Sequence, residues 1–200
     1  MFRGVLLCVM ATAVLSVRAA GPEAPDVHGT TRAAGRPSPD VVVWLDAPNA
    51  PAGLQRGKVV LDQRNITFTP HVLAVRVGTL VDFPNDDPIF HNVFSLSSAA
   101  TFDLRRYPKG QSRSQQFTKA GIVKVYCNIH SHMSATILVL DHPYFTVPEL
   151  DGTFELPNVP AGQYTIVGWH ERVGERRIDV KVERGKATAV KISLPVEDPQ

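Results

Sequence analysis

What most limits the fold of this chain is its punctuation: apolar residues come in short alternating runs, cut throughout by Gly, Pro, Asn and Asp, and no stretch carries a convincing helical period. In Leu73, Val75, Val77, Val81 and Phe83 the odd positions are apolar while Arg76 and Asp82 lie between them, the period of a strand with one buried face. Ile122-Val123-Lys124-Val125-Tyr126-Cys127 follows the same rule, with Val123, Val125 and Cys127 on one side, so Cys127 enters from the core side at a strand end. The chain reads as all-β, with residues 21–25 and 197–200 as loose ends.

Met1-Phe2-Arg3 carries one positive charge, residues 4–15 form an uncharged apolar run, and Val17 with Ala19 supplies small residues for cleavage. This is the pattern of a secretory signal peptide over residues 1–20; the run is too short to span a bilayer, and no other segment approaches that length. Cys8 falls inside it, and Leu6-Leu7 lack the small residue a lipoprotein site would place before the cysteine. The expected location is across the inner membrane, in a bacterial periplasm. Without Arg3 and Arg18 the chain holds 19 basic and 19 acidic residues, so neither nucleic acid nor a membrane surface is implied as a partner. Arg105, Arg106, Lys109, Arg113, Lys119 and Lys124 form a local basic exception, read as a solvated face or a means of steering an acidic partner.

An exported chain that keeps one cysteine, Cys127, has no internal disulfide partner to offer it. Its surroundings point to a ligand. Tyr126-Cys127-Asn128-Ile129-His130-Ser131-His132-Met133 sets a thiolate, an imidazole and a thioether close together, and Phe90-His91-Asn92-Val93 adds a second imidazole at the start of another strand. Two His and one Cys with a weak axial Met suit one copper ion cycling between Cu(I) and Cu(II). Zinc is the chemical alternative, since two His and one Cys can hold it with water in the fourth place; the Met133 thioether favours copper. With 136–140 as the next strand, His130 and Met133 sit in a short loop, and two loops at one end of a sandwich bring the four ligands together. His132 is read as a loop residue beside the site, His71 and His142 as strand-boundary residues, and His170 as an edge-strand end that could otherwise meet the metal loop. Asp86 and Asp87 are explained by an Asp-Asp-Pro turn. There is no phosphate loop, no nucleophilic serine elbow and no Cys-x2-Cys.

Residues 57–141 resemble the cupredoxins, the small blue-copper electron-transfer family. The likeness runs through Ile66-Thr67-Phe68-Thr69-Pro70, the segment from Val75-Arg76-Val77-Gly78 to Phe83-Pro84-Asn85, Phe90-His91-Asn92-Val93, and the Cys127 loop with its order His, then Cys-x2-His-x2-Met. The resemblance implies a Greek-key β-sandwich, His91, Cys127 and His130 as strong ligands, Met133 as the axial one, and Asn92 as a hydrogen-bonding tether of the ligand loop. The flanks, 26–56 and 142–196, resemble a carboxypeptidase-regulatory-like module, through Val41-Val42-Val43-Trp44-Leu45, Asp151-Gly152-Thr153-Phe154-Glu155-Leu156 and Pro160-Ala161-Gly162-Gln163-Tyr164. That implies a second, smaller Ig- or transthyretin-like β-sandwich. Neither flank can bury a core alone, so the cupredoxin is expected to be inserted between them; the competing assignment gives Val41-Val42-Val43-Trp44-Leu45 to the cupredoxin as its first strand. With all four protein ligands filled, the site suits transfer rather than turnover. The expectation is an exported copper protein, not an enzyme, that carries single electrons between redox partner proteins and docks to a larger periplasmic complex. Copper delivery and a metal-stapled interaction module are the alternatives.

Overall fold

A computed structural model describes residues 27–46 and 58–195. The expected signal segment 1–20 and the proposed module boundaries at residues 26, 56, 57 and 196 lie outside the described residues. The strands are β1 (Val27–Ala33), β2 (Val41–Asp46), β3 (Lys58–Val60), β4 (Asp62–Arg64), β5 (Thr67–Thr69), β6 (Val72–Arg76), β7 (Leu80–Pro84), β8 (His91–Ser97) and β9 (Ala100–Tyr107). They continue as β10 (Ser112–Gln116), β11 (Gly121–Tyr126), β12 (Ser134–Leu140), β13 (Phe145–Thr146), β14 (Thr153–Leu156), β15 (Gly162–His170), β16 (Gly174–Val182) and β17 (Thr188–Leu194). The fold is all-β: no helix occurs among the described residues, so none there is long and apolar enough to cross a membrane.

Two cores organise these strands. A five-stranded sheet, β6-β12-β11-β8-β9, and a three-stranded sheet, β10-β7-β3, contribute to one core that includes Phe83, Val93, Phe117, Val125 and Ile137, with Cys127 and Met133 among them. The sheets β14-β1-β17 and β13-β2-β15-β16 contribute to a second core around Val43, Leu45, Leu156, Ile166 and Ile192. Strand β2 hydrogen-bonds to β13 and β15 and to no strand between residues 58 and 140.

The sequence explains where the two cores meet. A sheet covered on one face alternates apolar with polar, whereas one covered on both faces reads as an unbroken apolar run. Strands β2, β6 and β12 carry such runs. In β12, Ala135, Ile137 and Val139 enter the first core, while Leu138 joins Val42 and Val72 in a third cluster. In β2, Val41, Val43 and Leu45 enter the second core, and Trp44 packs with Leu140 and Trp169 against that third cluster. Beside it, Glu171 follows β15 and reaches across. Its carboxylate accepts a hydrogen bond from Thr136 Oγ1 at 2.8 Å and pairs with Lys124 Nζ at 2.6 Å and His71 Nε2 at 3.1 Å.

One reading of the strand pattern needs correcting. The alternation from Leu73 to Phe83 does not belong to one strand: β6 lies in the five-stranded sheet and β7 in the facing three-stranded one. The chain crosses over at Val77-Gly78-Thr79, where Gly78 takes a φ of +93°, a left-handed region that favours glycine. The period survives the crossing because Val75, Val81 and Phe83 all point into the same core.

Candidate metal centre

His91 opens β8, Cys127 follows β11, and the loop from Cys127 to Met133 returns the chain into β12. The loop is closed by its own backbone: Cys127 N donates to Met133 O at 3.3 Å and Met133 N to His130 O at 3.0 Å. It is tied to β8 through Asn92, whose Oδ1 accepts from Asn128 N at 3.2 Å and whose Nδ2 donates to Asp103 Oδ1 at 2.8 Å. The tether implied by the family resemblance is therefore present. A register shift between Asn92 and Phe94, with Arg105 at a φ of 62°, bends the β8–β9 pair at this point.

Ligand-type atoms of His91, Cys127 and His130 lie within 4.8 Å of one another. His91 Nδ1 is 3.1 Å from His130 Nδ1, and Cys127 Sγ is 3.8 Å from His130 Nδ1. His91, Cys127 and Met133 are buried at 0%, 4% and 1% exposure, while His130 is half-buried. The arrangement fits a metal. His91 Nε2 lies 2.7 Å from the Asp87 Oδ2 acceptor, so Nε2 donates there, and Nδ1 on the other side of the ring faces His130. Two imidazoles and one cysteine sulfur are donors that suit copper, so His91, Cys127 and His130 would be the residues to hold such an ion. Burial, followed by the neighbouring His91 and His132, holds the His130 imidazole below its usual pKa, which favours the neutral, ligating form.

The surrounding residues hold what the sequence reading missed. Asp87 is not merely a turn residue: it is buried, and its carboxylate accepts from Asn65 N at 2.7 Å and Ile66 N at 2.8 Å as well as facing His91. Burial alone would raise its pKa, but the donors Ile66, His91 and Asn65 outweigh this and hold it below the usual carboxylate range. Buried Asn85 organises the same turn, donating to Ile89 O and Tyr107 O at 2.9 and 3.0 Å and accepting from Asp87 N. A carboxylate four residues before a candidate ligand histidine was the available signal. His132 is exposed, its ring centroid 6.4 Å from that of His130. His71 is no idle boundary residue, since Nδ1 bonds Ser134 O at 3.1 Å and Nε2 faces Glu171. His170 accepts from Arg172 N, and it is Glu171 beside it that reaches the other core. The basic segment is dispersed: Lys124 pairs with Glu171, Arg113 bonds Leu104 O and lies over the Tyr107 ring, and Lys119 bonds Ser98 O.

No protein-family model matches the chain, and no curated protein matches it. Among solved structures it is similar to a copper-containing nitrite reductase from Thermus scotoductus SA-01, at 27% identity over 43% of this chain, with a TM-score of 0.40; the match spans only 23% of the reductase. It is also similar to a methionine-to-alanine mutant of amicyanin in its Cu(I) form, at 24% identity over 48% of this chain and 97% of that one, with a TM-score of 0.39. A purple cupredoxin from Nitrosopumilus maritimus matches at 22% identity over 42% of this chain and 99% of its own, with a TM-score of 0.36. These findings correct one expectation. A reading as "not an enzyme" does not stand when a reductase is among the similar structures. Filled ligand positions restrict what happens at one ion, not what the remainder of a protein or its assembly does.

Proposed function

We propose that this protein is an exported mononuclear copper protein that passes single electrons between redox partner proteins. His91, Cys127 and His130 would hold the ion, with Met133 as the axial ligand. The observation that carries the reading is the convergence of two imidazole nitrogens and one cysteine sulfur at the end of a β core, with a buried methionine in the same core. Bound copper would supply reversible one-electron chemistry. The chain's own residues keep the donors fixed: Asn92 ties the loop, Asp87 orients His91, and β11 and β12 flank the loop on both sides. Burial of Cys127 and Met133 excludes water, and His130, only half-buried, would give electrons a route to the surface. Exposed Ile89, Phe90 and Ile129, next to the ligands in sequence, suit an apolar contact with a partner.

The export signal at 1–20 and periplasmic location belong to the same proposal. So does the division into a cupredoxin, residues 57–141, inserted in a carboxypeptidase-regulatory-like sandwich made of 26–56 and 142–196; the pairing of β1 with β14 and β17, and of β2 with β13 and β15, supports it. The second sandwich would serve docking to a larger complex. Exposed His132 beside His130 favours copper delivery as a second reading.

An absorption and EPR titration with Cu(II), repeated after ascorbate and then ferricyanide, tests the reading. One equivalent of copper with an intense thiolate-to-copper band, bleached and restored without loss, is the expected result. Weak colour, irreversible reduction, or rapid loss of Cu(I) to an acceptor with slow electron exchange would refute the carrier.

A further inference from the structure

The Asp87 carboxylate is built in more firmly than a turn requires. Its oxygens take three donors, Asn65 N, Ile66 N and His91 Nε2, and the side chains of His91 and Asp87 are only 0% and 8% exposed. A buried carboxylate without such donors would be strongly destabilising, so the turn that supplies them is part of the device. That turn is strained. Asn65 and Ile66, at the tip between β4 and β5, have φ of 56° and 55°, and a β-branched residue in the left-handed region is a true outlier. The conformation points two successive N–H groups at one anion, the form of a backbone nest. Strain of this kind persists where surrounding structure over-determines it, and it gathers at functional sites.

We propose that Asp87 is a positioning residue of the metal centre, which through His91 fixes the ring tautomer and biases bound copper towards its oxidised state. The inference rests on the copper reading above. A carboxylate accepting the distal N–H makes the ligating nitrogen a stronger donor, and a fixed negative charge behind the ring favours the more highly charged ion. Asn65 and Ile66 in turn hold the carboxylate in place.

The test is Asp87→Asn, which removes the charge and keeps the shape. Cu(II) and Cu(I) affinities are measured separately by chelator competition, together with the reduction potential, the EPR spectrum and the melting temperature of the metal-free protein. Cu(II) affinity is expected to fall about 10–100-fold and Cu(I) affinity by less, each tenfold of the difference raising the potential by about 59 mV. Equal losses, or a potential that stays or falls while the metal-free fold is kept, would reduce Asp87 to a structural residue and overturn the proposal. If Asp87→Asn does not fold, His91→Gly filled with imidazole or with 1-methylimidazole asks the same question with Asp87 intact. Only imidazole can donate to the carboxylate, so a lower potential with imidazole is expected and equal potentials refute the inference. A parent protein without the thiolate band defeats the copper reading itself; an intact, reversible band with an unmoved Asp87→Asn potential defeats only this inference.

Discussion

Replacing Glu171 with Ala tests whether the two cores are mechanically joined at the metal loop. One carboxylate holds Lys124 on β11, Thr136 on β12 and His71 before β6, and Lys124 Nζ also donates to Thr136 Oγ1 at 2.9 Å. A charged hydrogen bond contributes about 1.5–3 kcal/mol, but these share one group. The Lys124 and Glu171 side chains are 33% and 27% exposed, so the total is discounted towards surface-pair values, to about 2 kcal/mol. In a chain of this size that corresponds to a fall in melting temperature of roughly 4–8 °C, read by thermal circular dichroism of the metal-free protein. The pH dependence follows from the ionised form. Burial pushes the Glu171 carboxyl up, but hydrogen bonds from Lys124 and Thr136 and the charges of Lys124 and His71 hold it below its ordinary value of 4.5. Its stabilisation is complete above that value and is lost as pH falls through the lower folded-state value. The gap between the parent and Glu171→Gln should accordingly be full at neutral pH and close in acid. A Glu171→Ala protein that melts within about 1 °C of the parent, or a Lys124→Ala/Glu171→Ala cycle with no coupling, would refute the reasoning.

Other outcomes follow from single contacts. In Gly29→Ala the added Cβ would meet Val190 O at 1.9 Å, so the β1–β17 pair must shift; a loss of about 3 kcal/mol in chemical denaturation with an unchanged thiolate-to-copper band would show that the second core fails without the first. Asn92→Ala removes the bonds to Asn128 N and Asp103; Cu(II) affinity should drop about tenfold or more by chelator competition, and an unchanged affinity would deny the tether a role. Cys127→Ser should abolish the visible band while lowering metal-free stability by about 1–2 kcal/mol, since it buries a hydroxyl where a thiol packs at 4% exposure.

The elements legible in the sequence are the local ones. Cys127, His130 and Met133 stand in one loop, and strand alternation places Cys127 on the core side; the structure finds it at the end of β11, facing the first core. What periodicity cannot register is which sheet a strand joins. Leu73 and Phe83 share a period because both sides of the crossover at Gly78 face one core, so a two-residue repeat is blind to the change of sheet. The unbroken runs of β2 and β12 did carry the missing information, since a strand apolar on both faces announces a second layer.

The groups that condition the candidate site were unreadable for a different reason: each acts across a long stretch of chain. Asp87 takes its donors from residues 65 and 66, Asn92 meets the loop at Asn128, and Glu171 spans to Lys124. Under the copper reading the motif would specify the donors, whereas the potential and rigidity of the centre would depend on these three ties. Those ties enter from different sides, Asp87 behind one imidazole, Asn92 beneath the loop and Glu171 across the strands that flank it. Their effects should therefore separate by readout: Asp87 changes the charge felt at the site, Asn92 the order of the loop, and Glu171 the coupling of the second core to the first. A second sandwich that only served docking would have no need to place a carboxylate across β11 and β12, the two strands that carry the ligand loop.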